Sequence, residues 1–230
     1  MAIDAVLFEF DGVLAETSAA RRGALQRSLA EDGIRLSDVE YADFCATLPV
    51  RDAVRAALAL RGASDDETSI DLATLRAERR FAEYVGKGVS LAEGAADLIA
   101  ELAGRVRLGI VARAGRRQVD MVIALSGLEH VFECVVAAED AYPPKPSPAP
   151  YQSALARLGR RRPLRTSAVL ALEDGAAGIR SARAAGLRCL AVGHLPVHQA
   201  MDADAYVASL AGLSLSELER LLSSNGELIR

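Results

Sequence analysis

The sequence predicts a protein of the α/β class, with a Rossmann-like core of parallel strands covered by helices on both faces. Short, continuously apolar runs recur along the chain, as expected for strands that are buried on both faces of a parallel sheet. After about residue 90 these runs alternate with segments of helical periodicity. Between the first apolar run and residue 90 only helical signals occur. The pattern therefore predicts a sheet core with a small all-helical domain inserted after the first strand.

The first predicted strand is followed by two acidic residues. Residues 6–8 form its apolar run, and Gly12 interrupts the pattern soon afterwards. Residues two apart in a strand point to the same face, so we expect Glu9 and Asp11 to point the same way. Open parallel sheets bind ligands at the carboxyl ends of their strands, which is where these acids lie.

Helix signals fill the segment after the first strand. Capping-box spacing at residues 37–40 and 64–67 predicts two helix starts, and Gly33 and Gly62 predict helix ends. The predicted helices cover residues 18–32, a second helix opened by the first box, residues 50–61, and a longer helix from the second box to about residue 85. We therefore predict a helical cap domain at residues 16–89.

The rest of the chain alternates between strands and helices. Predicted strands cover residues 107–112, 134–137, 167–172, 188–192 and 205–207, and predicted helices cover residues 92–103, 116–126, 151–158, 176–185 and 214–222. The first strand belongs to the same sheet despite the helical interruption. The predicted core is therefore residues 1–15 and 90–230, with the cap above the carboxyl end of the first strand.

Composition limits the class of partner. The net charge is −4, from 27 basic and 31 acidic residues, which gives no electrostatic reason to expect nucleic acid. The cysteines (Cys45, Cys134 and Cys189) fit neither a disulfide framework nor zinc spacing, which suggests a reducing cytoplasm. No apolar run approaches the ~18 residues of a membrane span. We expect a soluble cytoplasmic protein without a membrane or nucleic-acid partner.

The candidate catalytic and ligand-binding residues follow the ends of the predicted strands. Glu9 and Asp11 follow the first strand, Lys145 follows the third, and Glu173 and Asp174 follow the fourth. Carboxylates suit Mg²⁺, and Mg²⁺ with a lysine suits a phosphoryl group. Taken singly, an acid pair is commonly a helix N-cap and a loop lysine is commonly solvated. Their order along the chain favours a magnesium and phosphate site.

Three stretches resemble motifs of the haloacid dehalogenase-like superfamily. They are residues 10–14 (Phe-Asp-Gly-Val-Leu), residues 145–148 (Lys-Pro-Ser-Pro) and residues 173–179 (Glu-Asp-Gly-Ala-Ala-Gly-Ile). With a helical segment between the first and second motifs, the chain resembles the subgroup that holds β-phosphoglucomutase and phosphoglycolate phosphatase. The resemblance covers nearly the whole chain. It implies a Mg²⁺-dependent phosphatase or phosphomutase that acts on a small phosphorylated metabolite.

The resemblance also implies a role for each candidate residue. Glu9 occupies the position of the nucleophile and metal ligand. Asp11 is the implied general acid/base, with its backbone carbonyl on the metal. Lys145 is the implied ligand of the phosphoryl group and of the nucleophile, while Asp174, supported by Glu173, is the implied Mg²⁺ ligand.

Two positions depart from the family pattern. The family has Asp where this chain has Glu9, whose carboxylate is one methylene farther from the backbone, and a misplacement of ~1 Å can cost ~10²-fold in rate. The family has Ser or Thr where this chain has Ala112, and the loss of one such donor typically costs ~10²–10³-fold. We therefore expect a formed Mg²⁺ and phosphate pocket with weak or lost turnover.

Other interpretations stay open at this point. Glu9 could act as a nucleophile in a working Mg²⁺-dependent phosphohydrolase, or the chain could be a non-catalytic protein that binds a phosphorylated metabolite or a partner. Arg113, next to Ala112, is a candidate phosphate ligand, although a solvated arginine is the simpler interpretation. Arg51 and Arg80 are candidate substrate contacts, because mutase-like relatives place basic residues in the cap.

Overall fold

The computed structural model describes residues 2–63, 66–160 and 162–223. Its strands are β1 (Ala5–Phe8), β2 (Arg107–Val111), β3 (Cys134–Val136), β4 (Val169–Glu173), β5 (Arg188–Val192) and β6 (Ala205–Val207). They form one parallel sheet in the order β3-β2-β1-β4-β5-β6. The predicted parallel sheet is confirmed.

The strand order reverses between β1 and β4. From β1 the chain builds outward to β2 and β3 on one side, and then β4, β5 and β6 extend the other side. Ligands of open α/β sheets bind at such a switch point, outside the carboxyl ends of the strands. Phe8 pairs with Leu172, and the Glu9 amide donates to the Leu172 carbonyl at 2.9 Å. Glu9 and Glu173 therefore lie side by side at this point.

Helices cover both faces of the sheet. In chain order, the helices of the structure are α1 (Ser18–Ala30), α2 (Asp38–Phe44), α3 (Val50–Ala59), α4 (Glu67–Val85), α5 (Ala95–Leu102), α6 (Arg116–Leu125), α7 (Ala149–Gly159), α8 (Ala176–Ala184), α9 (Val197–Ala200) and α10 (Leu215–Ser223). Successive β1 residues point to opposite faces: Phe8 packs with residues of α5, α6 and α10, and Leu7 with residues of α7 and α8. Within the described ranges, no helix combines the length and apolar character needed to cross a bilayer.

Helices α1 to α4 form the segment inserted between β1 and β2. They share an apolar cluster of their own, which includes Leu29, Val54 and Ile70. The two chain crossings that join this segment to the sheet lie side by side, since the Glu16 amide donates to the Ser90 carbonyl at 2.9 Å. These crossings match the predicted limits at residues 16 and 89, although the division into domains stays a prediction.

Several element boundaries differ from those predicted. The capping box at Ser37 is present, but α4 is capped by Asp66, whose carboxylate accepts from the Ser69 amide at 2.9 Å; the predicted box residues 64 and 65 lie outside the described residues. Helix α7 begins at Ala149 rather than at residue 151, because proline is tolerated in a first helical turn. Helix α9 was not predicted, since four residues are too few to show a periodicity.

Candidate functional site

Lys145 connects three strand ends at the switch point. Its ammonium group donates to the Glu9 carboxylate, to Oε1 of Glu173 at 2.6 Å and to the Val111 carbonyl at 2.7 Å. These partners belong to the ends of β1, β4 and β2. An ammonium group has three N–H donors, so all of them are in use. The structure thus brings together Glu9, Lys145 and Glu173, as the sequence predicted.

This cluster is almost fully withdrawn from solvent. The side chains of Glu9, Lys145 and Glu173 are each 1% exposed. Burial alone would lower the pKa of Lys145, but Glu173 and Glu9 raise it above its ordinary value. Burial raises the pKa of Glu173, and the neighbouring Glu9 adds to this effect. The lysine therefore stays charged and stabilises both carboxylates by ion pairing.

Glu173 is held by two features that the sequence analysis missed. The Tyr151 hydroxyl donates to Oε1 of Glu173 at 2.5 Å. On the other side, a Cβ atom at Gly178 would overlap the same carboxylate. Tyr151 was predicted only as the start of a helix, and nothing in the local sequence marks its hydroxyl as a ligand of Glu173. The glycine was visible in the stretch at residues 173–179, and the structure shows what it makes room for.

Both carboxylate oxygens of Glu9 are engaged. Oε1 accepts from the Phe10 amide at 2.9 Å, and Oε2 accepts from Lys145. The Arg113 guanidinium lies 4.0 Å from Oε2. Burial alone would raise the pKa of Glu9, but Lys145 and Arg113 outweigh it and hold the pKa below its ordinary value. Glu9 is therefore an ionised carboxylate that is fixed by its neighbours and shielded from solvent.

Asp11 is held by the helical segment and not by the Glu9 cluster. One of its oxygens accepts from the Thr17 hydroxyl, and the other pairs with the Arg21 guanidinium. Arg21 also donates to the Leu48 carbonyl at 3.3 Å. The expectation that Glu9 and Asp11 point the same way assumed a strand through residue 11, but β1 ends at Phe8. The two carboxylates have separate sets of partners.

Asp174 lies across the site from Glu9. Its Oδ1 atom is buried, has no hydrogen-bond partner in the part of the chain that the structure describes, and lies 3.6 Å from the Arg113 guanidinium. Burial, with the neighbouring Glu9, raises the pKa of Asp174 to about 7. Gly12 leaves room for this side chain, because a Cβ there would lie 2.6 Å from Oδ2, and its φ of +78° also favours glycine.

A cavity of about 160 Å³ opens between the strand ends and the helical segment. Ala112, Arg113 and Lys145 line it from the sheet side, and Leu48 and Asp52 line it from the other side. Ala112 contributes only a methyl group to this lining. Of the predicted phosphate ligands, Arg113 presents its guanidinium here.

The two cap arginines do not reach this cavity. Arg51 pairs with Glu67 and Asp71 on α4, and Arg80 pairs with Glu31 beyond the end of α1. Neither arginine lines the cavity. Both were suggested as substrate contacts, and in this structure both instead hold helices of the inserted segment together.

Comparison with known proteins identifies the family. Residues 6–192 match the model of the haloacid dehalogenase-like hydrolases. Protein CbbY of Rhodobacter capsulatus is 32% identical over 195 residues, which cover 82% of this chain and 84% of CbbY. The chain belongs to the haloacid dehalogenase-like hydrolase family. Protein CbbY of Cereibacter sphaeroides is 31% identical over 232 residues, which cover 93% of this chain and 98% of that protein.

Solved structures of this family share the fold. A crystal structure of CbbY from Rhodobacter sphaeroides in complex with phosphate superimposes with a TM-score of 0.83 at 28% identity, covering 94% of this chain and 99% of that chain. A β-phosphoglucomutase from Clostridium difficile reaches the same TM-score at 16% identity and covers 96% of this chain and 97% of that chain, which supports the fold alone. The predicted subgroup of haloacid dehalogenase-like hydrolases is confirmed.

The donor set of this family member fits a divalent cation poorly. Phosphatases of the family are generally Mg²⁺-dependent. Here Glu9 is bound to Lys145, Asp11 to Arg21, and the Arg113 guanidinium lies between Glu9 and Asp174. Within the part of the chain that the structure describes, no three acidic, histidine or cysteine side chains gather closely enough to hold a metal ion. The predicted Mg²⁺ therefore stays a prediction without support from the geometry.

We predict that Lys145→Met destabilises the protein by ~3–5 kcal/mol, because it leaves two buried carboxylates without a counter-charge. The double variant Lys145→Met/Glu9→Gln should recover part of the loss. Urea denaturation followed by circular dichroism measures both. Lys87, the only other lysine in the sequence, is exposed and gives the matched control Lys87→Met. Equal stability of Lys145→Met and Lys87→Met would show that the buried network is not needed for folding.

Gly178→Ala should also destabilise the fold, by ~1–3 kcal/mol, because the added methyl group overlaps the Glu173 carboxylate. Gly159→Ala is the matched helical control, since no described residue other than its chain neighbours and its own helix backbone comes within 4 Å of its Cβ position. Alanine is the better helix former by ~1 kcal/mol at most, so this control should be neutral or stabilising. Thermal unfolding of both variants gives the comparison, and the same melting temperature for both would contradict the packing argument.

Proposed function

We propose that this protein binds a small phosphorylated metabolite at the carboxyl ends of β1, β2 and β4, and that its phosphatase or phosphomutase turnover is weak or lost. The observation that carries this proposal is the state of Glu9. The residue at the nucleophile position of the family is buried, and both of its oxygens already have partners.

The binding half of the proposal rests on charge and shape. The cavity is lined by the cations of Arg113 and Lys145, and an arginine fork matches the oxygens of a phosphate. CbbY of Rhodobacter sphaeroides, the structural neighbour at 28% identity, has been solved with phosphate and with xylulose-(1,5)-bisphosphate. These relatives support a phosphorylated sugar as the class of ligand.

The loss of turnover rests on three residues. The Glu9 carboxylate is 1% exposed and bound by Lys145 and the Phe10 amide, and Glu9 is not one of the residues that line the cavity. Ala112 lacks the hydroxyl that would hold a phosphoryl oxygen. Asp11, the implied general acid/base, is bound through both oxygens by Thr17 and Arg21. Each change acts on a group that matters in the transition state, although the separate penalties need not add.

A working phosphohydrolase that uses Glu9 requires the substrate to reach a carboxylate that is 1% exposed and has a partner on both oxygens. If turnover is absent altogether, the same pocket makes the chain a phosphometabolite-binding protein with a regulatory role. The Mg²⁺ implied by the family resemblance is not a part of this proposal, because the acids that would hold it are paired with Lys145, Arg21 and Arg113.

Hydrolysis of a generic aryl phosphate tests the proposal. We expect wild-type turnover close to background, in Mg²⁺ and in EDTA alike. Glu9→Asp/Ala112→Thr restores the family's residues at both altered positions. In the buffer that gives it the higher rate, its turnover should exceed that of the wild type by ~10²-fold or more. Glu9→Asp alone should gain less, because the hydroxyl donor is still missing.

Glu9→Gln is the control for this assay, since it keeps the size of the side chain and removes the nucleophile. Robust wild-type hydrolysis that Glu9→Gln abolishes would show that Glu9 is a working nucleophile. No gain in the double variant, with folding intact by circular dichroism, would show that these two positions do not limit turnover.

A further inference from the structure

Arg113 carries hydrogen-bond donors that have no partner. A guanidinium group has five N–H donors. Among the described residues, Arg113 makes two ion pairs, at 4.0 Å to Glu9 and 3.6 Å to Asp174, and no hydrogen bond. Both distances exceed the ~2.7–3.2 Å of an N–H···O hydrogen bond. Lys145, by contrast, has all its donors in use, so Arg113 is the cation of the cavity that is free to bind an anion.

The position of Arg113 is also the position that a metal ion would need. A divalent cation shared by Glu9 and Asp174 would lie within ~2.1 Å of their oxygens, and the guanidinium lies between the same two carboxylates. Burial alone would lower the pKa of Arg113, but Glu9 and Asp174 raise it, so the group stays protonated. A permanent positive charge at this point repels a second cation.

We propose that Arg113 takes the place of the divalent cation, so that the pocket binds a phosphate group without metal. The inference rests on the proposed function, because it names the residue that neutralises the ligand at the same site. Arg113 directly follows Ala112, and its N–H groups replace the hydroxyl donor that this position lacks. Arg113 belongs to the turn between β2 and α6, its side chain is 22% exposed, and it lines the 160 Å³ cavity.

The arrangement also accounts for the charges of the pocket. Lys145 offsets Glu9 and Glu173, and Arg113 lines the cavity next to Asp174, whose Oδ1 atom has no hydrogen-bond partner among the described residues. An incoming phosphate would accept two parallel hydrogen bonds from the guanidinium fork.

Isothermal titration calorimetry with inorganic phosphate tests this inference on the full chain. The wild type is titrated in EDTA and, separately, in excess Mg²⁺, and we expect the same Kd in both. Arg113→Met should weaken binding by ~10- to 100-fold, the range for a lost hydrogen bond to a charged group. Arg113→Lys keeps the positive charge but lacks the guanidinium fork, so its Kd for phosphate should lie between those of the wild type and Arg113→Met.

Arg105→Met is the matched control, because it removes the same charge from an exposed residue that pairs with Glu101 away from the cavity. It should bind phosphate as the wild type does. Binding that requires Mg²⁺, or that is unchanged in Arg113→Met, would overturn the role of Arg113 and leave the proposed phosphate site standing. Folded wild-type protein that binds no phosphate in either buffer would instead remove the proposed function. The comparison of the two buffers needs no variant, so it holds even if Arg113→Met is unstable.

Discussion

The buried contact of Lys145 with Glu9 and Glu173 is the interaction on which the rest of the site depends. A charge that is withdrawn from water must be paired, and removal of one partner is costly. The lysine belongs to the loop after β3, while its partners belong to the ends of β1, β4 and β2. This network therefore joins loops that are distant in sequence, and its lysine lines the cavity from the sheet side. It also fixes the position of Glu9.

Glu9 belongs to this buried network. Its carboxylate is bound by the Lys145 ammonium group, which also binds Glu173, and it is 1% exposed. The other acids are also paired, Asp11 with Arg21 and Asp174 with Arg113. Three basic side chains thus neutralise carboxylates that the family resemblance assigns to metal and catalysis. A pocket that supplies its own cations has little need of a divalent one.

Much of the architecture could be predicted from the sequence, because strand and cap signals are local. The apolar runs located the strands, and the capping box at Ser37 located α2. Because the carboxyl ends of parallel strands lie at one edge of the sheet, Glu9, Lys145 and Glu173 could be placed there together. The pairing of Asp11 with Arg21 could not be predicted in the same way, because it depends on how α1 packs against the end of β1. Arg21 does lie one helical turn after Thr17, but spacing alone does not show which acid it meets.

The same limit applies to Arg51, Arg80 and Tyr151. Arg51 and Arg80 were suggested from the family resemblance, yet acids on neighbouring helices of the segment bind them. Tyr151 was predicted only as the start of a helix, and only the tertiary structure brings its hydroxyl to Glu173. Local sequence predicts which elements form, whereas the partners of a charged side chain depend on packing between elements.

A crystal structure of the protein grown with both phosphate and Mg²⁺ tests the central claim most directly. We expect a phosphate ion with oxygens at ~2.7–3.2 Å from the Arg113 guanidinium, with Glu9 still bound to Lys145. An octahedral Mg²⁺ that joins Glu9 and Asp174, with Arg113 displaced from between them, would contradict it.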